Sequence, residues 1–252
     1  MITMPASRLL AAAALAAALL PVAAAANTAK VALDAAPVNL NDKVSLQRGA
    51  QLFVNHCLNC HSAAAMRYAR LTDLGLTEQQ VRENLMFASE KVGEPMVSVL
   101  DPKDAKTAFG VVPPDLSLTA RSRGADWIYT YLRSFYRDPA ARTGWNNTVF
   151  PNVGMPHVLW ELQGTQGLEV HVRKDDHTGE THESRKLRLE TPGRLAAVQY
   201  DQAVGDLVNF MAWLGEPSQV NRRLWGVVAM FVLVLLVIAT KLLKAEYWKD
   251  VR

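Results

Sequence analysis

The chain has 252 residues, half of them hydrophobic and 20% charged, with 27 Lys+Arg against 24 Asp+Glu and a formal net charge of +3. That is enough apolar material to bury a sizeable core, which excludes a disordered or low-complexity protein. Its two cysteines, Cys57 and Cys60, are too few for a disulfide scaffold or a closed structural zinc site.

Taken in chain order, residues 1–26 read as a secretory signal peptide. Arg8 is their one charge, residues 9–20 are Ala and Leu alone, and small residues lead to a cleavage point just before Asn27. The alternative is an uncleaved N-terminal anchor, at a borderline length for spanning a bilayer. Either way the domain that follows, residues 27–221, is exported. Residues 27–43 are expected to lie over its surface. Residues 45–56 space Leu46, Ala50, Phe53 and Val54 as one helix face and run straight into the cysteine pair.

Thr77 with Gln80 three positions on is a capping-box pattern opening a helix over 77–88. Residues 94–114, with Pro95, Pro102, Pro113 and Pro114, read as loop. An aromatic-rich helix is expected over 126–136 and a loop over 143–156. Residues 168–172 and 187–189 alternate apolar and polar around a charged turn near Gly179, the pattern of a β-hairpin. Residues 200–214 are helical, with Leu207, Phe210, Met211 and Leu214 on one face and Gly215 as the stop. Residues 222–243 form a transmembrane anchor. Their apolar stretch from Leu224 is about 20 residues, or about 30 Å as a helix, one hydrocarbon thickness. Residues 244–252 are then a cytoplasmic tail, with Trp225, Tyr247 and Trp248 as interfacial anchors.

The charge now falls into place. Residues 27–221 carry 20 Lys+Arg and 22 Asp+Glu, a net of −2. The basic excess sits at the membrane ends, so nucleic acid is not an expected partner.

Cys57-Leu58-Asn59-Cys60-His61 is a C-x-x-C-H run, the attachment signature of a c-type haem. Two thiols one helical turn apart can add to the two haem vinyl groups as thioethers, and the next residue supplies an imidazole to the iron. A thioredoxin-like pair would need a βαβ context, and a zinc site further ligands at fixed spacing; neither pattern is present. One covalent haem is expected. For the sixth iron ligand, Met66 lies too near His61, Met86 and Met211 fall in helices, and Met230 is in the anchor. The loop residues Met155 and Met96 remain, with Met155 favoured for its stiff Gly-Met-Pro setting and His157 a lesser contender. His56, His171, His177 and His182 are expected to face solvent.

These runs, together with Met66-Arg67-Tyr68, Pro113-Pro114-Asp115-Leu116-Ser117, Arg121-Ser122-Arg123-Gly124, Gly154-Met155-Pro156 and residues 210–217, resemble the cytochrome c1 family over about residues 40–250. The resemblance implies a mostly α cytochrome c-like haem domain with a small β-hairpin excursion and one C-terminal transmembrane helix. It implies Met155 as the axial partner of His61, and Arg123 as the cation for a haem propionate. Pro114 is placed beside the haem. Two departures stand out: the charged 168–189 stretch has no assigned role, and the family's acidic insertion before Pro113 is short here.

The resemblance implies a one-electron relay from a Rieske iron–sulfur protein to a soluble or tethered cytochrome c. The chain would be the electron-transfer subunit of a quinol–cytochrome c oxidoreductase, beside a b-type cytochrome and membrane lipid, with no quinol site of its own. It would sit in the inner membrane of a bacterium with the haem domain periplasmic. The competing readings are an anchored cytochrome c serving another complex, such as a terminal oxidase, and a haem peroxidase or sensor with an open sixth position.

Overall fold

The computed structural model of the protein describes residues 31–174 and 181–250. The signal-peptide expectation for residues 1–26 and the hairpin turn near Gly179 lie outside the described residues.

Two helices make the spine. Helix α1 (Lys43–His56) begins where the Asp42 carboxylate accepts from the Ser45 N–H at 3.0 Å. It buries Leu46, Ala50, Phe53 and Val54, the face expected from the spacing. The later helix α7 (Ala197–Gly215) lies against it. The two backbones meet at Gly49, where a Cβ would stand 2.0 Å from the Asp206 carbonyl oxygen. The Phe53 and Phe210 rings meet at a tilt of 55°, centres 5.5 Å apart, beside that point. Arg48 holds the Asp206 carboxylate with two bonds, at 2.6 and 3.0 Å. Asn209, fully buried, bridges the backbone of Asn39 and the Ser45 hydroxyl, so the segment before α1 is tied to α7.

Beyond the cysteine turn, strand β1 (Ala63–Arg67) pairs antiparallel with the short β2 (Pro95–Met96). A 3₁₀ turn (Tyr68–Leu74) and helix α2 (Glu78–Leu85) lie between them, and α2 carries the full Thr77–Gln80 capping box. Residues 94–114 are not all loop. Helix α3 (Pro102–Phe109) forms there, with Asp101 as cap, Pro102 in the first turn and Gly110 closing it at φ +82°. Proline suits a first helical turn, where its missing N–H has no partner to lose.

Helices α4 (Thr119–Arg123) and α5 (Ala125–Arg133) are separated by Gly124 at φ +90°. The aromatic helix ends at Arg133, three residues short of the expected Tyr136. Strand β3 (Phe135–Arg137) takes over and pairs with β4 (Trp145–Asn147), inside the stretch expected to be loop. Helix α5 docks on α7 through the Tyr200 hydroxyl, which donates to the Leu132 carbonyl at 2.9 Å, and through Arg133 on Asp201 at 2.6 Å.

After the short α6 (Trp160–Gln163), β5 (Gly164–Lys174) and β6 (Thr181–Pro192) form the expected hairpin, with Leu168 opposite Leu187. Helix α8 (Gln219–Tyr247) ends the described chain. An 18-residue stretch within its 29 residues reaches mean hydropathy 2.7 with none of that stretch buried, long and apolar enough to cross a membrane. Among the described residues helix dominates the fold, and the strands come in pairs.

Candidate haem site

The backbone keeps turning past α1. Cys57 and Leu58 both donate to the Phe53 carbonyl, and His61 N–H donates to the Cys57 carbonyl at 2.8 Å. This winding brings Cys57, Cys60 and His61 to one cavity of about 530 Å³. Cofactor and ligand sites span about 300–1,000 Å³. Burial pushes the Cys57 thiol up to about 12 and the Cys60 thiol up as well. A thioredoxin-type pair runs the other way, with a lowered thiol. Among the described residues no group of three His, Cys, Asp or Glu side chains is placed to hold a metal ion, as a zinc site requires.

His61 Nδ1 lies 2.7 Å from the Pro114 carbonyl oxygen. A carbonyl only accepts, so Nδ1 carries the proton and Nε2 keeps its lone pair for a metal. Burial lowers the His61 pKa, which favours that neutral form. The Pro114 carbonyl is itself held in place. Leu116 N–H donates to the Ser62 carbonyl at 2.7 Å, and the Asp115 carboxylate accepts from the N–H groups of Ala64 and Ser117, each at 2.8 Å. Burial alone would raise the Asp115 pKa; these hydrogen bonds outweigh it and hold the carboxyl below its ordinary range.

Met155 lines the same cavity, on the Gly154-Met155-Pro156 loop. A Cβ on Gly154 would stand 2.9 Å from Val111 Cγ2 and 3.1 Å from the Phe109 carbonyl, so this loop packs tightly against the turn after α3. Of the other methionines considered, Met211 reaches the cavity from α7, whereas Met66, Met86 and Met96 do not. Met96 is wholly buried on β2. His157 is 1% exposed, stacked on Phe135 at 4.9 Å and edge-on to Trp145. Burial pushes its pKa down to about 4, with Gln163 opposing; it packs as a neutral ring away from the cavity.

Arg123 and Pro114 both line the cavity. The Arg123 guanidinium lies 5.0 Å from the Trp127 ring centre and 6.0 Å from that of Phe150, and it makes no ion pair among the described residues. Its neighbour Arg121 pairs with Glu216. His56 departs from expectation: it is half-buried and lines the cavity, and burial lowers its pKa. His171 is exposed as expected; the side chains of His177 and His182 lie outside the described residues. Sequence reasoning also missed Tyr131, whose hydroxyl donates to Met155 Sδ at 3.4 Å. The aromatic run of α5 was the available signal, but its rotation is set only by packing on α7.

The donor set suits a c-type haem: two cysteines one turn apart, a neutral imidazole with Nε2 free, a thioether and an apolar cavity.

Comparisons with known proteins bear on the same residues. The model of the cytochrome C1 family matches residues 34–167 and 196–251, leaving out most of the β5–β6 hairpin. The chain is 45% identical over 233 residues to the ammonia monooxygenase gamma subunit of Nitrosomonas europaea, covering 92% of this chain and 94% of that protein. It is also 45% identical to cytochrome c1 of Allochromatium vinosum over 220 residues, covering 87% and 89%. Cytochrome c1 of Rhodospirillum rubrum is 27% identical over 242 residues, covering 84% and 83%.

Proposed function

Because the chain belongs to the cytochrome c1 family, we propose that it is the haem-bearing subunit of a bacterial quinol–cytochrome c oxidoreductase. In this reading residues 27–221 form the exported domain, and 222–243 anchor it once the signal peptide of residues 1–26 is removed. The haem domain is periplasmic on a single-pass anchor, and residues 244–252 are a cytoplasmic tail. The domain takes one electron from a Rieske iron–sulfur protein and passes it to a cytochrome c, within a membrane complex that includes a b-type cytochrome.

When bound, a single haem c supplies the reversible one-electron couple of its iron. Cys57 and Cys60 would hold it through thioethers. His61 would offer its free Nε2 to the iron, because the Pro114 carbonyl accepts from Nδ1–H, and Met155 would offer its thioether sulfur. A thioether ligand in place of a second imidazole would favour the reduced state and raise the potential. With His61 and Met155 both given to the iron, substrate would be kept off it, which suits electron transfer rather than peroxidase chemistry. Arg123, on the cavity lining, would pair its forked guanidinium with a haem propionate. The observation that carries this reading is the one apolar cavity shared by Cys57, Cys60, His61 and Met155.

The test is to solubilise the membrane, follow the chain by haem stain on a denaturing gel and identify what travels with it. A stained band lost in Cys57→Ala, co-purifying with a b-type cytochrome and an iron–sulfur protein, is the expected result. A second reading, an anchored cytochrome serving a different redox complex, draws on the name of the Nitrosomonas europaea relative. Co-purification with such a complex, and no b-type cytochrome, would establish it instead.

A further inference from the structure

Tyr131 grips the Met155 loop at two places. Its backbone carbonyl accepts from Asn147 Nδ2 at 2.8 Å, and Asn147 Oδ1 in turn accepts from the N–H groups of Val149 and Phe150, at 2.9 and 3.1 Å. That fixes the loop where it leaves β4. At the far end the Tyr131 hydroxyl donates to Met155 Sδ at 3.4 Å, the sole hydrogen bond that hydroxyl makes among the described residues. The ring cannot easily turn away. Trp127 stacks on it at 4.9 Å and 10°, and Phe135 meets it edge-on at 5.0 Å and 67°.

A thioether sulfur has two lone pairs and is a weak acceptor. A hydroxyl held against one of them decides which remains for a metal, and therefore how the methionine side chain is turned. It also draws electron density from the sulfur, making it a poorer donor to oxidised iron.

We infer that Tyr131 is a positioning residue for the axial methionine: its hydroxyl orients the Met155 sulfur and reserves one lone pair for the iron. The inference rests on the reading of Met155 as the sixth ligand. It goes beyond that reading by assigning to an α5 side chain the control of ligand orientation and potential.

The test uses the full-length, haem-loaded, detergent-solubilised protein with Tyr131→Phe, which keeps the ring and removes the hydroxyl. Haem content and far-UV dichroism should match the unmutated protein. At a fixed poise near the midpoint, the ratio of reduced to oxidised protein should fall by about two- to tenfold, the equivalent of about 0.4–1.4 kcal/mol for one modest hydrogen bond. The methionine-to-iron charge-transfer band should shift. In a Met155→Leu background the same substitution should change neither quantity, because the sulfur is gone.

Unchanged potential and band in Tyr131→Phe overturn the positioning role alone, provided Met155→Leu abolishes the band. A Met155→Leu protein that keeps the band overturns the ligand reading and the inference with it. Should Tyr131→Phe fail to accumulate, the reduced unmutated protein still decides. A nuclear Overhauser contact between the Tyr131 hydroxyl proton and the Met155 methyl group is expected, and its absence overturns the inference.

Discussion

Replacing Met155 by leucine separates packing from ligation. The side-chain volume is nearly conserved, so the fold should lose less than about 1.5 kcal/mol. The thioether is lost, so the potential should drop and quinol–cytochrome c turnover with it. Haem should stay attached, since Cys57, Cys60 and His61 are untouched. Met96→Leu is the matched control: Met96 is wholly buried on β2 and does not reach the cavity, so spectrum and turnover should be those of the unmutated protein. Redox titration of the two variants checks this, and loss of the charge-transfer band in Met96→Leu instead would sink the ligand assignment. Asp115 makes a pH prediction. Its carboxyl is held below its ordinary range, so the unfolded chain binds this proton at higher pH than the folded one. The stability it contributes is complete above the ordinary aspartate value of about 4 and fades as pH falls through the lower folded value. Asp115→Asn should flatten that part of the acid-unfolding curve, and an unaltered curve would rule the contribution out.

At the scale of elements, the α1–α7 crossing depends on Gly49. Alanine there would gain about 1 kcal/mol of helix propensity. Against that, its Cβ would stand 2.0 Å from the Asp206 carbonyl, a backbone atom that cannot swing aside. Overpacking of this kind costs about 1–3 kcal/mol or more, so the clash wins. The melting temperature of Gly49→Ala should fall by about 2–4 °C per kcal/mol, and a melt at or above that of the unmutated protein would contradict the crossing. The hairpin makes the opposite prediction. Its base is pinned by Gln166, which donates to the carbonyls of Arg133 and Phe135, while the Glu169–Arg188 pair further out is exposed and worth little. Replacing residues 168–190 by a short turn should therefore leave the melt and the haem spectrum within error; a lost spectrum would show that the hairpin supports the site.

The same elements show what can be read without coordinates. Helix α1 announced itself through Leu46, Ala50, Phe53 and Val54, and α2 through Thr77 and Gln80, because periodicity and caps are local signals. The Cys57–His61 run is equally local. Helix α3 stayed hidden because it buries only Ala105 and opens with a proline that reads as loop. Strands β3 and β4 are three residues each and exist through pairing with one another, which no window of neighbours reveals. Tyr131 was legible as an aromatic on a helix but not as a partner of Met155. That contact depends on how Tyr200, Asp201 and Arg133 seat α5 on α7.

At the scale of the whole molecule, attachment and chemistry reside in different parts of the chain. The cavity is built wholly from residues 56–211, whereas the apolar surface of α8 is exposed along its length, as at Phe231, Leu233 and Leu235. In water that surface is a liability, and in lipid it is the solvent-matched face. Lys241 and Lys244 lie in the last turns of α8, and Lys249 follows just beyond its C-terminal end. A chain stopped after Asn221 should therefore leave the membrane fraction while keeping the haem spectrum, since it retains every cavity residue. If it stays with the membrane, contacts of the haem domain with other subunits hold it there. Orientation can be tested on the full chain. In intact spheroplasts, added protease should destroy the haem domain, while an epitope placed after Arg252 remains protected until the membrane is opened. Protection of the haem domain with cleavage of the epitope would reverse the topology, and with it the side from which electrons arrive.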